Sequence, residues 1–446
     1  MPQTSSPSIQ EAFWFWLKLG FISFGGPAGQ ISTMHEELVE KKQWISEENF
    51  LHALNYCMLL PGPEAQQLAT YLGWLMHRTW GGIMAGVLFI LPSLLLFIGL
   101  SWIYLAYGQQ TWLITLFDTL KPAVLAIIFY AAFKMVRKTI RSYLLAVVML
   151  ASLLAVTVLN ISFPWVVLVA AILGSIYGGV QTEIQGKMQN ETAAQAQNHP
   201  SLYEGIDSKT PTSHLAAKPF SLQRAFKKFL VFLLLWTAPI VIFISLYGWQ
   251  HTYTQISWFF TKAAFLTFGG AYAVLPYVYQ ATVEHFQWLS SAQILDGLAL
   301  GESTPGPLIM IVAFVGFLAS YQQALLGGNY LFEAGALGAF TATWFTFLPS
   351  FMFILLGAPL IEKTKQFPKM VQALQLITAA VIGTVIQLGL FFAQHVYWPN
   401  GLHHEISIFA LGMSLFSAYL LIFRNWSIIQ LIGLCLMIAS IRIFNF

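Results

Sequence analysis

"LLPGPEAQQLA" (residues 59–69) places two prolines, a glycine and a carboxylate inside a stretch otherwise apolar enough to lie in a membrane. The same device returns at "GESTPGPLIMI" (residues 301–311). Proline in a helix interior removes a backbone hydrogen bond and costs ~3 kcal/mol. Two such interruptions with the same chemistry predict built helix breaks. A break exposes backbone N–H groups and a helix N-terminus carrying roughly half a positive charge, which is an anion-binding element. Irregular backbone is tolerated inside a membrane only where protein buries it or it lines a wet cavity.

Composition sets the solvent. Of 446 residues, 57% are hydrophobic and 9% are charged, against about 25% charged in a soluble domain. This is the profile of an all-α polytopic membrane protein with the lipid bilayer as its surroundings. A net charge of +3 gives no ground for a nucleic-acid partner. Cys57 and Cys435 lie in apolar runs and read as small core residues. The N-terminal "MPQTSSPSIQEA" lacks a basic region followed by an apolar one, so no cleavable signal peptide is expected. Neither a metal-site spacing nor a nucleotide-binding phosphate loop occurs, so no cofactor is expected.

A crossing of about 30 Å of hydrocarbon needs roughly 20 residues. Six candidate segments fall within 1–180: 11–31, 50–76, 81–107, 112–134, 142–160 and 161–179. A polar stretch, 181–227, reads as a linker, and 228–256 carries one extra span. Six more segments fall within 257–446, giving about 13 in all.

The halves are related. "WFWLKLGFISFGG" (14–26) aligns with "WFFTKAAFLTFGG" (258–270) at an offset of 258 − 14 = 244. The same offset carries "VEKKQWIS" (39–46) onto "VEHFQWLS" (283–290), and Pro61-Gly62-Pro63 onto Pro305-Gly306-Pro307. Leu91-Pro92-Ser93 then matches Leu348-Pro349-Ser350 at an offset of 257, so the second half has an insertion. One unpaired span between two homologous repeats inverts the second relative to the first. With every segment spanning and the N-terminus cytoplasmic, the basic loops at His77-Arg78, Lys134–Arg141, Arg224–Lys228, Lys363–Lys369 and Arg424 all fall inside. The loop with Lys41 and Lys42 then falls outside, balanced by five glutamates, and the C-terminus lies on the outer side. Inverted repeats with interrupted helices are the architecture of secondary transporters.

These residues resemble a known family, the chromate ion transporter superfamily of the long-chain, two-domain type. The resemblance rests on "FGGPAGQI" (24–31), "LLPGPEAQQLA", "FGGAYAVLPYV" (268–278) and "ESTPGPLIM" (302–310), and covers nearly the whole chain outside the linker. It implies chromate export across the bacterial inner membrane, powered by the proton motive force and conferring chromate resistance. The implied fold is about thirteen crossings in two antiparallel halves. Ser303 stands where the family pattern has threonine, and Ala313 where it has glutamine.

The candidate substrate site follows from the breaks. It comprises Gly25, Gly26, Pro61, Gly62, Pro63, Gly269, Gly270, Pro305, Gly306 and Pro307, with Gln66, Gln67, Ser303 and Thr304 as donors. Lys18 and Lys262 match at the 244 offset and are candidates for pairing with a dianion or for snorkelling to an interface. Small residues at FGG also serve close helix packing. Glu64 and Glu302 are the candidate proton-coupling carboxylates, because charge within a membrane is expensive. Each occurs in one half only, since their repeat partners are Leu308 and Met58. The alternative for each is helix capping or a structural ion pair. Asp118 and Lys121, three apart on one helix, read as a pair.

Export of a dianion from a negative interior gains about 4.6 kcal/mol at 100 mV, from ~2.3 kcal/mol per charge. Sulfate or another oxyanion is the alternative substrate. An anion channel is the alternative transport mode, and a steep proton dependence of flux separates it. A membrane-embedded enzyme is disfavoured, since "GESTPG" misses the G-x-S-x-G spacing and no H-E-x-x-H occurs. A homodimer is left open. Single cysteines replacing Gln43 and Gln287, in a Cys-free background, are expected to label from opposite faces with an impermeant thiol reagent. Labelling from one face removes the inverted-repeat expectation.

Overall fold

The computed structural model describes residues 7–24, 26–178, 222–268, 270–361, 368–399, 401 and 403–444. Candidate residues Gly25 and Gly269, and the linker as far as residue 221, lie outside the described residues. The described chain is helical and contains no strand. In the first half the helices are α1 (Ile9–Ile22), α2 (Gly26–His35), α3 (Glu47–Cys57), α4 (Glu64–Tyr107), α5 (Thr111–Thr139), α6 (Tyr143–Thr157) and α7 (Phe163–Gly178). Helix α8 (Leu222–Tyr247) follows, starting inside the stretch read as linker. The second half has α9 (Thr252–Leu266), α10 (Ala271–Tyr279), α11 (Ser291–Ser303), α12 (Ile311–Gln322), α13 (Leu331–Ile361), α14 (Pro368–Tyr397), α15 (Ile408–Phe423) and α16 (Ile428–Phe444).

Local chemistry sets the helix starts. Ser8 and Glu11 form a reciprocal capping box at α1, with bonds of 2.8 and 3.2 Å. Ser46 caps α3, and Ser290 with Gln293 caps α11. The segments 11–31 and 50–76 are each interrupted, at FGG and at PGP. Helix α4 runs through the next expected segment, but its backbone leaves helical geometry at His77 and Arg78. Among the described residues, five helices are long and apolar enough to cross a membrane: α4, α5, α8, α13 and α14. Helices α6, α7, α15 and α16 are shorter apolar rods. Much of the outer surface is bare Leu, Ile, Val and Phe, including Leu230, Leu234, Val241 and Ile242 of α8, as suits lipid contact.

Irregular features recur 244 residues apart. A π-helical turn follows α2 at Glu36–Lys41 and another follows α10 at Gln280–His285. Gln43 and Gln287 both take positive φ, 51° and 53°. The Trp44 amide then donates to Leu38 O at 2.9 Å, and the Trp288 amide to Thr282 O at 2.8 Å.

The short helices turn back on themselves. Trp44, beyond α2, packs its ring 5.2 Å from Phe15, midway along α1 and well before its end at Ser23. His77, at the α4 irregularity, contacts Pro7 O at 2.8 Å. Thus α1 to the first part of α4 begin and end on one side. In the second half Trp288 lies 6.3 Å from Phe259, and the Thr252 hydroxyl donates to Gln323 at the end of α12. A Cβ on Gly20 would press on Leu88 O and Pro92, so the first break is level with the middle of α4.

Packing crosses between the halves. Helix α13 packs on both α12 and α4, α6 packs on α14, and α15 packs on α5. Cys57 and Cys435 are free and buried in this core.

Candidate functional site

The breaks of the two halves close on each other. Gly62 N–H donates to Thr267 O at 2.7 Å, and Gly306 N–H donates to Ser23 O at 2.7 Å. Each PGP turn is therefore pinned by the residue preceding the other half's FGG. Ser23 and Thr267 end α1 and α9 with nearly identical backbone angles, φ −81° ψ 91° and φ −79° ψ 90°. Both glycines take φ that other residues rarely adopt, 123° at Gly62 and 108° at Gly306. Neither has room for a side chain. A Cβ on Gly62 would strike Ser350 Oγ, and one on Gly306 would strike Ser93.

Side chains reinforce the crossing. Gln30 Nε2 donates to Gly306 O at 2.5 Å, from the first half into the second. Gln67 Nε2 donates to Pro61 O at 2.7 Å and reaches Ser350 Oγ at 3.5 Å. Gln66 Nε2 donates to Thr70 Oγ1 at 2.9 Å within α4. The turns are rigid because Pro63 and Pro307 immediately precede the next helical starts, at Glu64 and Leu308.

Both candidate carboxylates reach this centre. Glu302 Oε1 accepts from Tyr272 Oη at 2.6 Å, and Glu302 is 4% exposed. The same Tyr272 hydroxyl lies 4.0 Å from where a Cβ on Gly26 would sit. Glu64 opens α4, with its Oε1 3.9 Å from the corresponding point on Gly270. Four helical starts thus meet near one level, at Gly26, Glu64, Ala271 and Leu308. First-turn amides have no intrahelical carbonyl, and their summed dipoles favour an anion.

Several polar atoms here are buried without a hydrogen-bond partner in the structure. Ser23 Oγ, Gln30 Oε1, Gln67 Oε1, Ser93 Oγ and Glu302 Oε2 all belong to residues in the contacts above, and Gln66 Oε1 lies beside them in sequence. An unsatisfied buried group costs about 1–3 kcal/mol. Such a concentration marks a place where water or a ligand completes the bonding.

Not every candidate donor is available. The Gly62 and Gly306 amides, read from sequence as freed donors, are occupied by Thr267 and Ser23. Ser303 and Thr304 hydroxyls both donate to Leu300 O, at 3.1 and 2.8 Å. The two lysines stay outside this cluster. Lys18 is exposed and lines a separate cavity of about 380 Å³ with Glu11, Glu37 and Lys42. Lys262 is exposed on α9. Pro61 and Pro305 contribute rigidity, having no N–H to give.

Four residues that the sequence reading left out belong to the centre: Gln30, Tyr272, Ser93 and Ser350. Gln30 is the polar residue in "FGGPAGQI", four positions past the break. In the sequence Ser93 and Ser350 stand out only as markers of the duplication. Tyr272 occupies the position of Ala28 in the other half, so nothing in the repeat pointed to it.

A family model described as chromate transporter matches residues 10–175 and 254–440. It leaves out 176–253, which holds α8. A chromate transport protein of Cupriavidus metallidurans is 31% identical over 380 residues, covering 85% of this chain and 81% of that protein. A chromate transport protein of Pseudomonas aeruginosa is 30% identical over 424 residues, covering 94% and 88%. An uncharacterized transporter of Methanocaldococcus jannaschii is 24% identical over 440 residues, covering 98% and 96%. No solved structure matches.

The glycine contacts generate a stability test. Gly306→Ala is expected to lose roughly 1–3 kcal/mol from backbone strain, plus the collision with Ser93. Adding Ser93→Gly removes the collision and leaves the strain, so part of the melting temperature in detergent returns. If the second substitution recovers nothing, the Gly306–Ser93 contact does not constrain the turn.

Proposed function

The chain belongs to the chromate transporter family, and we propose that it is a secondary transporter exporting chromate or a like oxyanion across the bacterial inner membrane. The observation that carries this reading is the reciprocal pinning of the two PGP turns by the opposite half. It brings four helix starts and two carboxylates to one buried level, near Ser93 and Ser350 in the middle of α4 and α13. Substrate is met by first-turn amides and by the side chains of Gln30, Gln66, Gln67, Ser93 and Ser350. Ser303 and Thr304 join when their hydroxyls leave Leu300 O.

Two inverted-topology repeats are supported by the recurrence of π-turns, cap angles and interlocking bonds at one offset. On this reading the short helices around FGG and PGP are re-entrant hairpins. Four full crossings then belong to the first half (α4 beyond Arg78, α5, α6, α7), one to α8 and four to α13–α16. The total is nine, in place of about thirteen. Each half loses an even number of crossings, so the second half still lies upside down. With the N-terminus and the linker cytoplasmic, the loop with Lys41 and Lys42 moves inside, in better accord with the positive-inside tendency. The C-terminus remains outside.

Coupling follows from competition at one helix end. Glu64 in the first turn of α4 occupies the electropositive end that an oxyanion would use. Its protonation removes a like charge, so proton and anion occupancy are linked. Membrane potential alone favours exit of a dianion, and a proton gradient adds to or opposes that according to the sign of coupling. The protein acts without a cofactor, as one chain or as a homodimer.

Everted membrane vesicles are expected to accumulate labelled chromate, and to lose it when made leaky. A channel gives flux without proton dependence, and strong competition by sulfate makes sulfate the better substrate. In an imposed pH gradient at zero potential, Glu64→Gln or Glu302→Gln is expected to lose the gradient response by about tenfold, some 1.4 kcal/mol of coupling. If both variants respond as wild type does, the two carboxylates only cap and brace their helices.

A further inference from the structure

Helix α11 carries a second buried carboxylate that the central site does not use. Asp296 is 5% exposed and precedes Glu302 by six residues, about 9 Å along the axis at ~1.5 Å per residue. Its Oδ1 lies 3.2 Å from Lys121 Nζ of α5, and its Oδ2 accepts from Tyr104 Oη of α4 at 2.9 Å. The same ammonium reaches Asp118 at 3.5 Å, on the exposed side. The pair read from sequence, Asp118 with Lys121, is therefore one side of a trio.

Two carboxylates sharing one ammonium differ from an ion pair. Fully ionised, the trio carries one net negative charge, with Asp296 buried and Asp118 exposed. With one proton added it is neutral, and Lys121 still has an ionised partner in Asp118. Burial disfavours the uncompensated charge, and like charges sharing a site favour proton uptake by one of them. The other charged and titratable groups facing the trio are Arg442 of α16 and His395 of α14. Both line a cavity of about 280 Å³ together with Asp118, Lys121 and Ser407. Arg442 is engaged by Thr119 Oγ1 at 3.1 Å and by the Phe409 ring at 4.2 Å.

The place of the trio is also informative. Tyr104 stands at the far end of α4 from His77, so the cavity opens on the face opposite the N-terminus. Ser303 follows Asp296 by seven residues and shares its face of α11, next to Glu302. The repeat partner of Asp296, at 296 − 244 = 52, is the exposed His52, so this feature exists in one half only.

Resting on the reading of Glu302 as a coupling carboxylate, we propose that Asp296, held by Lys121 and Tyr104, is the proton station linking the outer cavity to the central site. A proton from the outer solution reaches Asp296 through Lys121, which lines the cavity 3.2 Å from Asp296 Oδ1: the ammonium gives one proton to the carboxylate and takes one from the solution. Water between the two carboxylates, about 9 Å apart along α11, carries the proton on to Glu302, and Asp296 returns to its ionised form. The net event is one proton moved inward, with no bonds other than O–H and N–H made or broken.

The test uses purified full-length protein in liposomes loaded with a pH-sensitive dye. Two fluxes are compared: chromate movement driven by an imposed pH gradient, and chromate–chromate exchange, which needs no net proton. Asp296→Asn is expected to lower the ratio of driven flux to exchange by about tenfold. Combined with Glu302→Gln it should lower that ratio no further than Glu302→Gln alone, because residues on one route are not additive. Loss of both fluxes in parallel, with the ratio unchanged, shows Asp296 to be structural and overturns the proposal. A wild-type ratio in Asp296→Asn, with the response lost in Glu302→Gln, overturns the station but keeps the central reading. A wild-type ratio in Glu302→Gln overturns both. Should Asp296→Asn fold poorly, the neutral pair Asp296→Asn with Lys121→Met carries the same comparison.

Discussion

A membrane interior offers no water to an open amide, so every helix break within it must be closed by protein or filled by a ligand. In this chain two closures are made by the other half of the molecule, Gly62 to Thr267 and Gly306 to Ser23. The rest depends on them. Prolines on both sides of each glycine stiffen the turns, and the glycines accept φ near 110–120° where Ser350 and Ser93 leave no space for a Cβ. Because each turn leans on the opposite repeat, neither half can form its centre alone. The same crossing continues outward, where α6 packs on α14 and α15 on α5.

The interlock also separates what is symmetric from what is not. Backbone features repeat at one offset: the π-turns, the positive-φ glutamines, the cap angles and the two glycine bonds. The carboxylates of the central site and of α11, and the tyrosine beside Glu302, do not. Glu64, Glu302, Tyr272 and Asp296 each have an apolar or exposed counterpart, so a near-symmetric frame carries a one-sided set of charges. A frame of this kind suits alternating access, in which two equivalent packings exchange.

The sequence shows the fold class, the duplication and the breaks, because proline and glycine punctuate an apolar chain strongly and the repeat register is ungapped over three motifs. It shows Glu64 and Glu302 for a similar reason, since charge is rare in such segments. It does not show that the hairpins turn back. Apolar length is the same for a rod and for two arms, and contacts such as Trp44–Phe15, His77–Pro7, Trp288–Phe259 and Thr252–Gln323 distinguish them. Nor does it show that the PGP amides are occupied, because their acceptors lie more than two hundred residues away. Lys18 and Lys262 satisfied the repeat register, yet a register fixes position along a helix and not the face it turns toward lipid. Gln30, Ser93 and Ser350 are polar residues of ordinary type, and only the crossing of the halves gathers them.

The central claim is that one buried site lies where the four breaks meet. Chromium provides its own probe, through anomalous X-ray scattering from a crystal of the full-length protein soaked in chromate. The account predicts one principal chromium peak between the Gly62 and Gly306 turns, level with Ser93 and Ser350 and within reach of Gln30 and Gln67. A principal peak beside Lys18 or Lys262, with the space between the turns empty, would contradict it.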